Sequence, residues 1–121
     1  MTEKKNEKKT LKRVDIPSGT WKYVLIQLGD DSYLVRGREG ATYHADAARP
    51  TIDLLESMDI DYNVLGGGRI RRDDEKKTIL VYGHSIGFPW DKETGFQHDV
   101  SVRLIKKAYP DYEVTYSNEG Y

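Results

Sequence analysis

The apolar positions of this chain change period four times, and each change predicts an element. "TWKYVLIQL", Thr20 to Leu28, is an aromatic and β-branched run of strand character in which Val24, Ile26 and Leu28 share one face with Lys22. "GDD" signals a turn, and "SYLVRGR" follows as the second strand of a hairpin. From Asp46 to Met58 the period becomes helical, with Ile52, Leu55 and Met58 three apart and polar residues between them. Pro50 interrupts that pattern, because within a helix it removes a hydrogen bond and crowds the preceding turn. Either a short turn at "HADA" precedes a helix starting near Pro50, or one helix runs through it with a kink.

Strand patterning returns in "DYNVLGG", which ends in glycines, then in "RIRR" and, after the charged turn "DDEKK", in "TILVYGHS". "IGFPWDKETG" has the composition of an exposed loop. "HDVSVRLIKKAY" predicts a second helix with Val102, Ile105 and Tyr109 on one side and Lys106 and Lys107 in the last turns, where the helix dipole favours cations. Pro110 stops it, and "YEVTYS" closes as a strand. The order ββ, α, βββ, α, β predicts an α+β fold: a single domain with a mixed sheet of about six strands flanked by two helices. The pattern does not specify strand order, and it contains no repeat.

Composition narrows the functional classes. At 121 residues the chain suits one domain. The net charge of −1 is uneven: residues 1–13 hold six Lys/Arg and two Glu, leaving the body acidic. We therefore expect a disordered basic tail over residues 1–15 and a folded domain over 16–121, without the basic stripe of a nucleic-acid binder. The absence of cysteine excludes disulfides, thiolate nucleophiles and Cys-ligated zinc, and suits a reducing cytoplasm. No apolar run approaches the ~20 residues of a membrane span, and the N-terminus is too polar for a signal peptide.

Four segments carry residues suited to a phosphoryl group. His44, in "YHAD", stands where strand character gives way to helix. There the unpaired N–H groups of a helix start favour anions and disfavour imidazolium, so a neutral ring is available to take a proton or attack phosphorus. The plainer reading is that it packs or caps. Lys22, on the apolar face of its strand, either snorkels past the sheet or offers a point charge to an oxyanion. "LGGGRI" allows close approach of a ligand beside Arg69, or is a bulge or turn between strands; it matches neither the dinucleotide fingerprint nor the P-loop. "YGHSIG" runs out of a strand into small residues whose successive N–H groups suit an anion. Nothing around Ser85 resembles a nucleophile elbow. His44, His84 and His98 lack metal-ligand spacing, so no metal is expected.

Taken in order, "WKYVLI", "YHAD", "LGGGRI", "VYGHS" and "KKAYPDYEVTYSNEGY" are similar to the Janus family, from about Thr20 to Tyr121. The resemblance implies a small mixed sheet with two helices, and a protein histidine phosphatase that needs neither metal nor cofactor. It implies that His44 is the catalytic proton acceptor, that Lys22 binds substrate, and that Ser85, Ile86 and Gly87 form the loop whose backbone holds the phosphate. Arg69 would lie at the rim, and Ala45 would offer its N–H beside His44. The expected partners are phosphohistidine-bearing proteins, met by a cytoplasmic monomer. The competing expectation is a phosphate-binding regulatory protein that keeps the pocket and lacks turnover. Departures from the family pattern are His84, where an aromatic is expected, Ile86 and Gly87, and a longer loop over 88–97.

Overall fold

In a computed structural model the described residues are 11–118. They form strands β1 (Val14–Asp15), β2 (Gly19–Leu28) and β3 (Tyr33–Gly37), helix α1 (His44–Ser57), strands β4 (Tyr62–Asp73) and β5 (Thr78–Tyr82), helix α2 (His98–Ala108) and strand β6 (Glu113–Tyr116). The six strands make one mixed sheet in the order β1-β3-β2-β4-β5-β6. The two outer pairs are parallel and the three inner pairs antiparallel. This is the expected α+β architecture.

The helices pack on opposite faces, as strict alternation along β2 requires. Val24, Ile26, Leu28 and Leu34 meet Ala48, Ile52 and Leu55 of α1. Tyr23, Leu25, Ile70, Ile79 and Val81 meet Val102 and Ile105 of α2. Burying each such aliphatic side chain contributes about 1.5–3 kcal/mol, so the two stripes fix which face each helix covers. Lys22, in phase with Val24, therefore falls on the α1 face.

Two details differ from the expectations, and the bulge that is one reading of "LGGGRI" is present. The segments "DYNVLGG" and "RIRR" are a single strand, β4, that runs through its glycines while paired with β2. Register shifts between Leu25 and Ile26, whose partners are Gly66 and Val64. Leu65 is the extra residue of a bulge, and it exchanges the faces: Tyr62 and Val64 pack toward α1 before it, whereas Gly67 and Arg69 do so after it. The six-strand total is instead completed by β1, held to β3 by the Val35 N–H on the Arg13 carbonyl at 2.8 Å and by Arg36 Nη2 on the Lys12 carbonyl at 2.6 Å. Val14 and Asp15 thus lie in the sheet, on the tail side of the expected boundary. The basic run over 1–10 is outside the described residues.

Pro50 does not divide α1, which is one helix from His44. The bond lost at Pro50 would have ended on the carbonyl four residues back, that of Asp46. Arg38 Nη1 donates to that oxygen at 3.0 Å and replaces the missing donor. The first turn is held by the Asp46 carboxylate, which accepts the Tyr43 N–H at 2.9 Å. No helix among the described residues is long and apolar enough to cross a membrane.

Candidate active site

His44 is the first residue of α1, so the ring hangs at the end of the helix over the centre of β4. Its Nε2 lies 2.9 Å from the Gly68 carbonyl oxygen. A carbonyl only accepts, so Nε2 carries the proton and Nδ1 of the neutral ring keeps its lone pair. Burial, chiefly, holds the His44 pKa below the ordinary histidine value, and the positive fields of Lys22, Arg69 and His84 push the same way; the Gly68 bond opposes them. At neutral pH the ring is a base without its second proton.

The ring can sit there only because residue 67 has no side chain. A Cβ on Gly67 would stand 2.8 Å from His44 Cδ2, 2.8 Å from the Tyr23 carbonyl and 3.1 Å from Ser85 Cβ. On the other face, a Cβ on Gly66 would fall 2.3 Å from the Trp90 ring. The three glycines are thus neither a turn nor a ligand loop. Gly66 and Gly67 leave room for the Trp90 and His44 rings, and Gly68 for the Tyr82 carbonyl.

The other candidates gather around this seat. Lys22 on β2 is the cross-strand partner of Arg69 on β4, which places the two cations side by side on the α1 face. β5 ends at Tyr82, and Gly83 turns away with φ +79°. The chain then doubles back so that Ser85, 1% exposed, packs beside His44 and Gly67. The Ser85 hydroxyl accepts the Phe88 N–H at 3.1 Å and so closes the 85–88 turn. Ile86 projects from it, 83% exposed.

Lys22, His44, Ala45, Ser85, Ile86 and Gly87 all line one cavity of about 430 Å³, completed by Tyr43 and Phe88. Arg69 does not line it; its charge is felt at His44 from alongside. Tyr43, Phe88 and Gly67 had no distinguishing signal in sequence. The last was visible only as part of an ambiguous glycine run. The cavity combines a neutral imidazole, the Lys22 cation, a helix N-terminus and a tight turn of backbone, with Arg69 alongside, a set suited to a tetrahedral dianion.

His98 takes no part in it. It opens α2 on the opposite face, fully buried, with Nε2 donating to the Gly83 carbonyl at 2.8 Å and Nδ1 accepting the Tyr23 hydroxyl at 2.6 Å. Tyr23 in turn bonds Ser101 Oγ at 3.1 Å. The rings of Trp90 and Phe96 enclose the imidazole edge-on. Among the described residues no three His, Asp or Glu side chains are grouped to hold a metal.

Comparison with known proteins places these residues in context. The model of the Janus/Ocnus family (Ocnus) matches residues 8–113. The chain is 40% identical over 119 residues to the 14 kDa phosphohistidine phosphatase of Sus scrofa, covering 89% of this chain and 90% of that protein. Its human counterpart is 39% identical over 119 residues, with 89% and 91% covered. The Sex-regulated protein janus-A of Drosophila melanogaster is 36% identical over 109 residues, with 87% and 77% covered.

Proposed function

The chain belongs to the Janus/Ocnus family, and from that premise we propose that it is an enzyme removing phosphate from histidine side chains of proteins, with His44 as general base. The observation that carries the mechanism is the tautomer of His44: with Nε2 committed to Gly68, Nδ1 is the ring's free base in a cavity walled by Lys22 and the 85–87 turn.

The phosphoryl dianion of the substrate is held by Lys22 Nζ, by the N–H of Ala45, which has no acceptor within the helix, and by the backbone of 85–87. Arg69 strengthens the positive field from beside Lys22. A water molecule attacks phosphorus and gives its proton to His44 Nδ1. The P–N bond breaks with its electron pair going to the imidazole of the substrate, which takes up a proton. Inorganic phosphate and a free histidine side chain leave. The leaving imidazole is a good one once protonated, so positioning and charge stabilisation supply most of the acceleration. A general base adds about 10²–10⁴-fold. No step requires a metal ion or cofactor.

Hydrolysis of a phosphohistidine peptide by wild type and by His44→Ala tests the reading: a loss of about 10²-fold or more in kcat is expected. Binding of the peptide without release of phosphate by the wild type would instead make this a phosphate-binding regulatory protein. Labelled phosphate trapped on His44 during a single turnover would make the ring a nucleophile. The enzyme is proposed to act as a cytoplasmic monomer, in keeping with its lack of cysteine; sedimentation at assay concentration tests the oligomeric state.

A further inference from the structure

Helix α1 covers only part of its face of the sheet. It packs on β2, β3 and the first half of β4, against Val24, Ile26 and Leu34 among others, and α2 lies on the opposite face. Because α1 begins at His44, over the middle of β4, the same face runs on past the end of the helix. Strand register gives its next two rows. Lys22, Arg69 and Tyr82 form the first, and Thr20, Arg71, Leu80 and Thr115 the second. Thr20, Arg71 and Thr115 are exposed, while Leu80 and Tyr82 are partly buried.

These rows are continuous with the cavity that holds His44. Lys22 lines it, Arg69 is the cross-strand partner of Lys22, and Arg71 follows on the same face of β4, about 7 Å further along the strand. Arg71 does not itself line the cavity, so it lies outside the groups that hold the phosphoryl. The two arginines that end "RIRR" have different employment. Alternation sends Arg72 to the α2 face, where it donates to the Asp74 carboxylate at 2.8 Å and to the Ile16 carbonyl at 2.7 Å and lies over the Tyr109 ring. Arg71 points the other way, and among the described residues no carboxylate pairs with it. Asp73, next on that face, gives its carboxylate to the N–H groups of Glu75 and Lys76, each at 3.1 Å. The part of the open face nearest the cavity is therefore positive, with a guanidinium fork beside partly buried Leu80, and the ligand it complements is a carboxylate.

We propose that Arg71 is a specificity-determining residue: it receives an acidic side chain of the substrate protein, a few residues from the phosphohistidine, and so docks an acidic flanking segment on the open face beside the cavity. This rests on the phosphatase reading above and deepens it. The field that draws in the phosphoryl dianion then draws in its acidic surroundings as well.

The test compares wild type with Arg71→Gln at ~0.15 M salt. kcat/KM is measured for phosphoramidate, which has no flanking residues, and for phosphohistidine peptides carrying Asp or Asn in turn at each position near the phosphohistidine. Asp is expected to exceed Asn by about three- to fivefold at one or two positions, through KM and less so as salt rises. Arg71→Gln should bring that ratio to about one and leave phosphoramidate hydrolysis unchanged. Equal rates for Asp and Asn at every position, a preference for Asp that survives in Arg71→Gln, or an equal loss on phosphoramidate each overturns the proposal. Hydrolysis of phosphoramidate by the wild type leaves the phosphatase reading intact in those cases, whereas failure to hydrolyse any of the substrates overturns both.

Discussion

Gly67→Ala is the most exacting perturbation of the seat beneath His44. The new methyl would stand 2.8 Å from His44 Cδ2, where ordinary contact begins at about 3.4 Å, so the ring must retreat by about 0.6 Å. The methyl cannot shift instead, because the Tyr23 carbonyl at 2.8 Å is backbone of the central strand and Ser85 Cβ at 3.1 Å closes the third side. Overpacking of this kind costs about 1–3 kcal/mol, which for a domain of this size lowers Tm by roughly 4–12 °C. Misplacing a catalytic group by ~1 Å costs ~10²-fold, so a retreat of 0.6 Å is expected to lower kcat about tenfold. Gly66→Ala is the matched control: its methyl strikes the Trp90 ring on the opposite face at 2.3 Å, so it should lose more stability and less kcat in the folded fraction. Steady-state kinetics on a small phosphohistidine substrate, paired with calorimetry, read both quantities. A Gly67→Ala enzyme with reduced Tm and unchanged kcat would show that His44 is not held where catalysis needs it.

Other expectations follow from the same geometry. His44 must be neutral to act and its pKa is depressed, so the acid limb of kcat/KM should lie below pH ~6.5. Lys22→Gln removes one of the positive fields that depress it, so that limb should move upward, by less at high salt; it should also cost about 10- to 100-fold in kcat/KM through loss of a charge-assisted bond. His98 is likewise held neutral by burial, so the unfolded chain binds more protons as pH falls below about 6.5, and urea titrations should show stability declining from there toward the lower folded-state values. Tyr23→Phe leaves His98 Nδ1 buried without its donor and should cost about 1–3 kcal/mol by equilibrium unfolding, with His44 still active. Addition of EDTA should leave the rate unchanged.

What could be read from sequence was whatever depended on neighbours along the chain. The run Tyr23 to Leu28 is apolar at every position but Gln27 and became a central strand buried on both faces, and the spacing of Val102 and Ile105 set the buried face of α2. The position of His44 at a helix start was visible because strand character stops just before it. What could not be read depended on contacts between distant residues. Pro50 is tolerated because Arg38, twelve residues earlier, reaches the Asp46 carbonyl. β1 is two residues beside a charged run, too short for a period, and exists through its pairing with β3. The glycines of β4 carry the signal of a turn, yet they continue a strand because Trp90 and His44 need the space their side chains would fill. The bulge at Leu65, which sends Arg69 to the α1 face beside Lys22, is invisible without the register of β2.

The two histidines that open the helices share their local setting and differ in what surrounds them. His44 begins α1 and His98 begins α2, on opposite faces of the sheet, and each donates Nε2–H to the carbonyl of a glycine, Gly68 or Gly83. Both rings are therefore neutral in the same tautomer, with the lone pair on Nδ1. At His98 that lone pair is spent on the Tyr23 hydroxyl, inside a wall of aromatic rings. At His44 the ring borders an open cavity with Lys22 across it. The buried histidine also serves the other: the carbonyl it holds belongs to Gly83, the residue whose positive φ turns the chain out of β5 and brings Ser85 back over Gly67. The difference in their chemistry follows from what faces the second nitrogen: the Tyr23 hydroxyl at His98, an open cavity at His44.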